Sequence, residues 1–437
     1  MGIQSALKEI QDSQLGESTG SVLKVKTDTV LLSLPEAKIG ALCEVDAGNR
    51  KVMVQIVSLD KDGHVAMPLD TLEGVKLGAA VHLKEEAALV RVGQSLLGQV
   101  VDSLCRPYED SKKGLVLGQG VPLYGEPVNP LDREIISDPI DLGVRSINAC
   151  LTCGKGQRQG IFAGSGVGKS VLLGMISRYT SADIIVIALI GERGREVKEF
   201  IEKELDPETR KRCVVVVETA DKSAVRRSRG AAAASSIAEF FRKQGKDVLL
   251  LMDSLTRFAM AQREIAIAAG EPPATKGYSP SVFGALSRLV ERAGNWGEEG
   301  SITGLYTVLV EGDDMEDPVA DNCRAYLDGH IVLSRRLANQ GHYPAVDVVS
   351  SVSRVMDQVV EKNQLLAARS LKESLARFQE NEDAIRYGAY VRGTDTAVDE
   401  AIERSSAITG FLKQDREESV SFSNAKDQLL ELFDLHS

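Results

Sequence analysis

An α/β core set between a small N-terminal β-barrel and a C-terminal helical domain is the fold class predicted for this chain, and three features of the text predict it. Residues 21–84 alternate short Val, Leu and Ile runs with turn signals such as Asp46-Ala47-Gly48-Asn49 and Asp60-Lys61-Asp62-Gly63, the pattern of an antiparallel barrel or sandwich. Residues 85–356 change to apolar β-branched runs separated by helical stretches, as a mainly parallel sheet with crossover helices reads. Beyond Met356 the text is polar and rich in Ala, Leu, Glu and Lys, with no strand signal, so helices are expected. A chain of 437 residues exceeds one compact core and suits about three domains.

Taken in order, Ile3, Leu7 and Ile10 fall at helical spacing, which predicts an amphipathic helix over 1–18, closed by the break from Gly16 to Gly20. Such a helix either packs on its own barrel or docks a partner. The barrel is expected over 19–84, the α/β core over 85–356 and the helical domain over 357–437. Within the core, strands are expected at Gly160 to Ala163, Ile184 to Ile190, Val214 to Thr219, Val248 to Met252, Ile302 to Val310 and His330 to Leu333.

The composition, 43% hydrophobic and 26% charged, is that of a globular protein, and a formal net charge of -11 argues against nucleic acid as the main partner. Its apolar runs are strand-sized, short of the roughly 18 to 20 residues that cross a bilayer. The opening residues lack a basic region followed by an apolar stretch, so no secretory signal and a cytoplasmic location are expected. Six scattered cysteines read as reduced thiols. Cys150 and Cys153 form one CxxC, but no second pair or nearby His completes a metal site, so both are expected to be small buried side chains.

The chemistry is announced by the stretch from Gly160 into Ala163-Gly164-Ser165-Gly166-Val167-Gly168-Lys169-Ser170-Val171: a strand, a glycine-rich turn and a helix start. Glycines let the backbone curl so that its N–H groups face phosphates, and the helix N-terminus adds its positive dipole end. Lys169 supplies a point charge to the β and γ phosphates, and the Ser170 hydroxyl can ligate Mg²⁺. Ala163 stands where the usual pattern begins with glycine. A second carboxylate for the metal is expected at the end of a neighbouring apolar strand, and Asp253 follows Val248-Leu249-Leu250-Leu251-Met252. Hydrolysis also needs a group to orient or deprotonate water. Gly191-Glu192-Arg193-Gly194-Arg195-Glu196 stands at the tip of a predicted strand, with Arg193 as a γ-phosphate contact; the residues alone do not choose between Glu192 and Glu196 as general base.

Segments GIFAGSGVGKSVLLGMISRYT, IGERGREVKEFIE, LLLMDSLTRFAMAQREIAIAAGEPPATKGYSPSVF, SITGLYTVLVEGDDMEDPVAD, LDGHIVLSRRLA and GHYPAVDVVSSVSRVM resemble those of flagellar and type III secretion export ATPases. These are similar in turn to the catalytic β and non-catalytic α subunits of rotary ATP synthases. The resemblance covers nearly the whole chain. It implies a RecA-like core, a homohexameric ring and Mg-ATP hydrolysis at the subunit interfaces. By position in the motifs it implies that Glu192 is the catalytic carboxylate, that Tyr343 stacks on adenine, and that Arg354 is inserted in trans into a neighbour's site. One chain then carries both the β-like acid and the α-like arginine, so a homo-oligomer completes every site from two copies of itself. The implied partners are a stator-like regulator at the N-terminal helix, a central coiled-coil stalk, the membrane export gate and chaperone-substrate complexes, with only peripheral membrane association.

Rival functions on the same fold rank lower. A catalytic subunit of a rotary ATP synthase usually bears a DELSEED-like acidic stretch, and residues 356–437 contain none. An RNA translocase needs exposed aromatic and basic residues on its N-terminal domain, yet residues 21–84 contain no Phe, Tyr or Trp. A purely structural ring member would not need Lys169, Glu192 and Asp253 together. SVLLGM and RFAMAQREIA favour the flagellar branch over the injectisome one.

Overall fold

The computed structural model describes residues 19–109, 115–118, 120–126, 128–310 and 317–435; the predicted helix over 1–18 lies outside them. Six strands, β1 (Thr19–Val25), β2 (Val30–Ser33), β3 (Leu42–Asp46), β4 (Lys51–Asp60), β5 (Gly63–Pro68) and β6 (Ala80–Glu85), close into an antiparallel barrel in the order β1-β2-β5-β4-β3-β6. Closure leaves no unpaired edge. The interior is filled by inward-pointing aliphatics such as Leu32, Val45, Val54 and Ile56.

After β7 (Leu89–Arg91), which pairs with β9 (Gly120–Pro122), the chain builds a nine-stranded sheet. Its members are β8 (Val100–Val101), β10 (Arg158–Ala163), β11 (Ile184–Ile190), β12 (Cys213–Glu218), β13 (Asp247–Asp253), β14 (Gly294–Asn295), β15 (Ser301–Leu309), β16 (Gly329–Leu333) and β17 (Val346–Ser353). The main path runs β17-β16-β10-β15-β13-β11-β12-β8, with β14 paired to β15. All pairings are parallel except β14 with β15 and β16 with β17. Each expected core strand forms, within two residues of its expected ends. β17 escapes the sequence reading because its solvent-touching residues, among them Asp347 and Ser350, break the apolar run.

The sheet's two faces explain its residue choice. Every residue of β11 and β12 is buried, as strands covered on both sides require. Ile185, Ile187 and Leu189 face a core that includes Leu172, Leu173 and Ile176 of the helix Lys169–Tyr179. Val186, Ala188 and Ile190 face the opposite core, with Ala231, Ala234 and Ile237 of the helix Ala224–Arg242. The last helices, Lys362–Arg386, Thr396–Leu412 and Phe422–Leu432, pack on this face of the sheet: Ala368, Leu371, Ile408 and Leu412 join the same core as Leu172 and Ile185. Cys150 and Cys153 also lie in that core, where burial pushes both thiols up to about 12. Among the described residues no helix is long and apolar enough to cross a membrane.

Candidate nucleotide site

β10 ends at Ala163, and the chain then turns sharply into the helix that begins at Lys169. Gly166 and Gly168 take φ values of 76° and 89°, a left-handed backbone that side-chain-bearing residues rarely adopt. This turn walls a cavity of about 580 Å³ at the C-terminal ends of the parallel strands, where α/β sheets place ligands. Ala163, Gly164, Ser165, Gly166, Gly168, Lys169, Ser170 and Val171 all line it. Val167 instead turns its side chain into the hydrophobic core and anchors the loop.

Four polar side chains converge behind the turn. Lys169 Nζ donates to Asp253 Oδ1 at 2.6 Å and lies 3.6 Å from Glu192 Oε1. Thr307 Oγ1 donates to the same Asp253 oxygen at 2.6 Å. The parallel register sets Met252 opposite Tyr306, which puts Thr307 beside the strand end that carries Asp253. Glu192 Oε1 is buried and has no hydrogen-bond partner among the described residues. Burial, then the negative charge of Asp253, push the Glu192 acid up to about 7, against the opposing pull of Lys169. Burial works against the charge of Lys169, but Asp253 and Glu192 outweigh it and its pKa is raised.

The Glu192 turn is held by its backbone: Gly191 N donates to Glu218 O at 2.7 Å, and Ala220 N donates to Glu192 O at 3.0 Å. Arg193 lines the cavity, with its side chain 80% exposed and paired to Glu196 at 3.5 Å. Arg257 and Arg335 line it as well, and neither was among the residues expected from sequence. Arg257 sits in the first turn of the helix Leu255–Ala268, where a cation opposes the helix dipole. That misplacement was a readable signal of a local anion. Gly191 makes room for it, since a Cβ there would stand 2.8 Å from Arg257 Cβ.

A magnesium nucleotide fits these residues. Lys169, Arg193, Arg257 and Arg335 against Glu192, Glu196 and Asp253 leave the site net positive, as a polyphosphate requires. Ser170 and Asp253 are hard oxygen donors of the kind Mg²⁺ takes, and among the described residues no cluster of three or more His, Cys, Asp or Glu side chains exists to hold a softer metal.

Tyr343 stands beside the turn: its ring lies 3.4 Å from where a Cβ on Gly168 would be. Gln414 N, after the second C-terminal helix, donates to Tyr343 O at 3.0 Å, and the Gln414 side chain is tied to Arg145 N and Gly143 O. Arg354 is not in the site. β17 runs antiparallel to β16, starting with Val346 opposite Leu333 and ending with Ser353 opposite Gly329. β17 bulges between Asp347 and Val352, so its eight residues oppose only the five of β16 and carry Arg354 roughly 13 Å along the sheet, to the end away from the turn. There Arg354 Nη2 donates to Arg324 O at 3.2 Å.

Comparison with known proteins agrees. The model described as "ATP synthase alpha/beta family, nucleotide-binding domain" matches residues 143–353, and the one described as "T3SS EscN ATPase C-terminal domain" matches residues 360–431. The flagellum-specific ATP synthase of Pseudomonas aeruginosa is 52% identical, over 91% of this chain and 89% of that protein. The type 3 secretion system ATPase of Sinorhizobium fredii is 46% identical, over 89% of this chain and 86% of its own length. The structure of the assembled ATPase EscN from the enteropathogenic E. coli type III secretion system superposes with a TM-score of 0.90 at 43% identity, covering 94% of this chain and 99% of that one. EscN in complex with its central stalk EscO gives a TM-score of 0.87 at the same identity and coverage. Barrel, sheet, phosphate-type turn and sequence thus agree that this chain is an ATPase of the flagellar and type III secretion branch of the ATP synthase alpha/beta family.

Proposed function

We propose that this ATPase drives flagellar protein export, splitting Mg-ATP at the interfaces of a ring of identical copies. The observation that carries the interface reading is the antiparallel course of β17, which keeps Arg354 at the opposite end of the sheet from Lys169 of its own chain. An arginine that serves the phosphates must then serve another copy's. The assembled EscN structure, and its complex with a central stalk, support a ring and a stalk-type partner for this chain. A stator-like regulator, an export gate and chaperone-substrate complexes belong to the same reading, as does a cytoplasmic position at the inner-membrane apparatus.

In this reading the amides and dipole of the turn grip the phosphates, Lys169 and Arg193 bear on the γ-phosphate, and Tyr343 stacks on adenine. Ser170 and, in part through water, Asp253 would hold Mg²⁺, which would supply positive charge against the phosphates. Glu192 accepts the proton of the attacking water, a task suited to its buried Oε1, which faces Lys169 but accepts no hydrogen bond among the described residues, and to its raised pKa. Arg354 of a second copy stabilises the charge on the transferring phosphoryl group, a contribution worth roughly 10³ to 10⁵ in rate.

Mixing tests this directly. Glu192→Gln chains should bind ATP with turnover nearly abolished, and Arg354→Ala chains should be slow. Mixed together they should recover activity, because an interface can then combine an intact Glu192 with an intact Arg354. Mixed rings that stay inactive would count against action in trans.

A further inference from the structure

Arg354 opens onto a second, smaller cavity of about 280 Å³, formed where the end of β17 meets the helix Lys362–Arg386. That helix presents Leu365, Ala368, Arg369 and Lys372 to it, positions at helical spacing on one face. Three cations therefore share one small cavity: Arg354, Arg369 and Lys372. Asp357 is the one carboxylate among the lining residues. Neither it nor any other described carboxylate pairs with the three: Lys372 Nζ donates to Ser351 O at 3.0 Å, Arg354 to Arg324 O, and both acceptors are neutral carbonyls. The local potential is felt nearby. Burial comes first in holding the His330 imidazole pKa down, but Arg324, Arg354 and Lys372 add to it. Lys372 is itself depressed by burial.

Cations drawn together without counter-charge repel one another; burial adds to that cost at Lys372, while Arg354 and Arg369 remain exposed. An anion entering the cavity would relieve that repulsion. A guanidinium fork and an ammonium match the oxygens of a tetrahedral oxyanion, and a dianion balances three cations against one carboxylate. The cavity lies below the roughly 300 to 1,000 Å³ of sites that enclose drug-sized ligands, so the occupant is small.

We infer that Arg354, Arg369 and Lys372 form an oxyanion pocket for inorganic phosphate, distinct from the site around Lys169. This rests on the reading that Arg354 works at a neighbour's transferring phosphoryl group, since the pocket would then receive the phosphate that reaction releases. Arg369 and Lys372 are its binding residues, and the ring interface is its entrance.

Phosphate uptake by the full-length chain decides it. Calorimetric titration of Lys169→Ala chains with inorganic phosphate should still show binding, because the turn's lysine is not involved. Adding Arg369→Gln and Lys372→Met should weaken that binding at least tenfold, as expected on removing two charge-assisted donors. Lys372→Arg, which keeps the charge, should restore most of it and controls for misfolding. Phosphate affinity indifferent to Arg369 and Lys372 would overturn the pocket, as would no uptake by folded Lys169→Ala chains. If parent and variant alike left phosphate unbound and the two substitutions prevented ring assembly, the counter-charge would be a carboxylate of a second copy and the phosphate assignment would be wrong. ATP turnover of the parent chain, measured on the same preparation, reports separately on the reading beneath: brisk turnover without phosphate uptake defeats the pocket alone.

Discussion

At the scale of single residues, Glu192 is where burial and chemistry meet. Its carboxyl is pushed up to about 7 by desolvation first and by Asp253 second. Since only the ionised form can take a proton from water, kcat/KM, which reports the free enzyme, should rise with pH and level off above an apparent pKa near 7. A profile that stays flat down to about pH 5.5 would remove Glu192 from the base's role. The same shift has a sign for stability. A carboxyl whose folded pKa is raised binds its proton more tightly in the folded chain, so the nucleotide-free protein loses stability as pH climbs from the ordinary carboxylate range through about 7. Lys169 and Asp253 were legible as a pair from their motifs. The residues alone do not choose Glu192 over Glu196, because both stand on one predicted turn; the choice came from the family resemblance, and the fold adds that Glu192 approaches Lys169 while Glu196 pairs with Arg193.

At the scale of elements, strand ends aim the site and one helix fixes those ends. Gly230 lies within the helix Ala224–Arg242, against the last residues of β11 and β12. A Cβ there would meet Glu218 Cγ and Ile190 Cδ1, each at 2.9 Å. Glu218 cannot retreat, because its carboxylate is fully buried and accepts from Ser103 N at 2.8 Å. Gly230→Ala should therefore destabilise the chain by about 1–3 kcal/mol through overpacking, despite the better helix propensity of alanine. Because the displaced strand ends lead directly into Gly191 and Glu192, kcat should fall more than KM rises. A denaturation midpoint and ATPase kinetics equal to the parent's would refute the contact. The core strands were readable because burial on both faces forces continuous Val, Ile and Leu runs. Val346–Ser353 was hidden because an edge strand needs only every second residue apolar, and Thr307 was hidden because a threonine in an apolar run, like Thr303 before it, looks like filler until register sets it beside Asp253.

At the scale of the molecule, the barrel is bolted to the α/β core through Arg226. Its guanidinium donates to Leu69 O at 3.1 Å on the barrel side, and reaches Asp70, Asp102 at 3.2 Å and Glu218 at 3.5 Å. Arg226→Leu would leave Asp102 and Glu218 buried without counter-charge, a loss of roughly 3–5 kcal/mol. Burial already raises the Glu218 acid, which Arg226 pulls the other way; without Arg226 the folded pKa climbs further. The penalty therefore grows as pH rises above the ordinary carboxylate range and shrinks as Glu218 takes up its proton. Thermal melts should show the gap from the parent narrowing between about pH 8 and pH 5, and an unchanged gap would show that the pair is not what the arginine neutralises. None of this clasp was visible in the sequence, since its members are spread from residue 69 to residue 226. Finally, β17 has Tyr343 three residues before its first residue and Arg354 just after its last, and the main-chain ladder between them is interrupted by the bulge from Asp347 to Val352, where Ser351 Oγ accepts from Val332 N at 2.9 Å. The three extra residues of that bulge are slack in the connection: the aromatic at one end can seat over its own turn without dictating how far the guanidinium at the other protrudes.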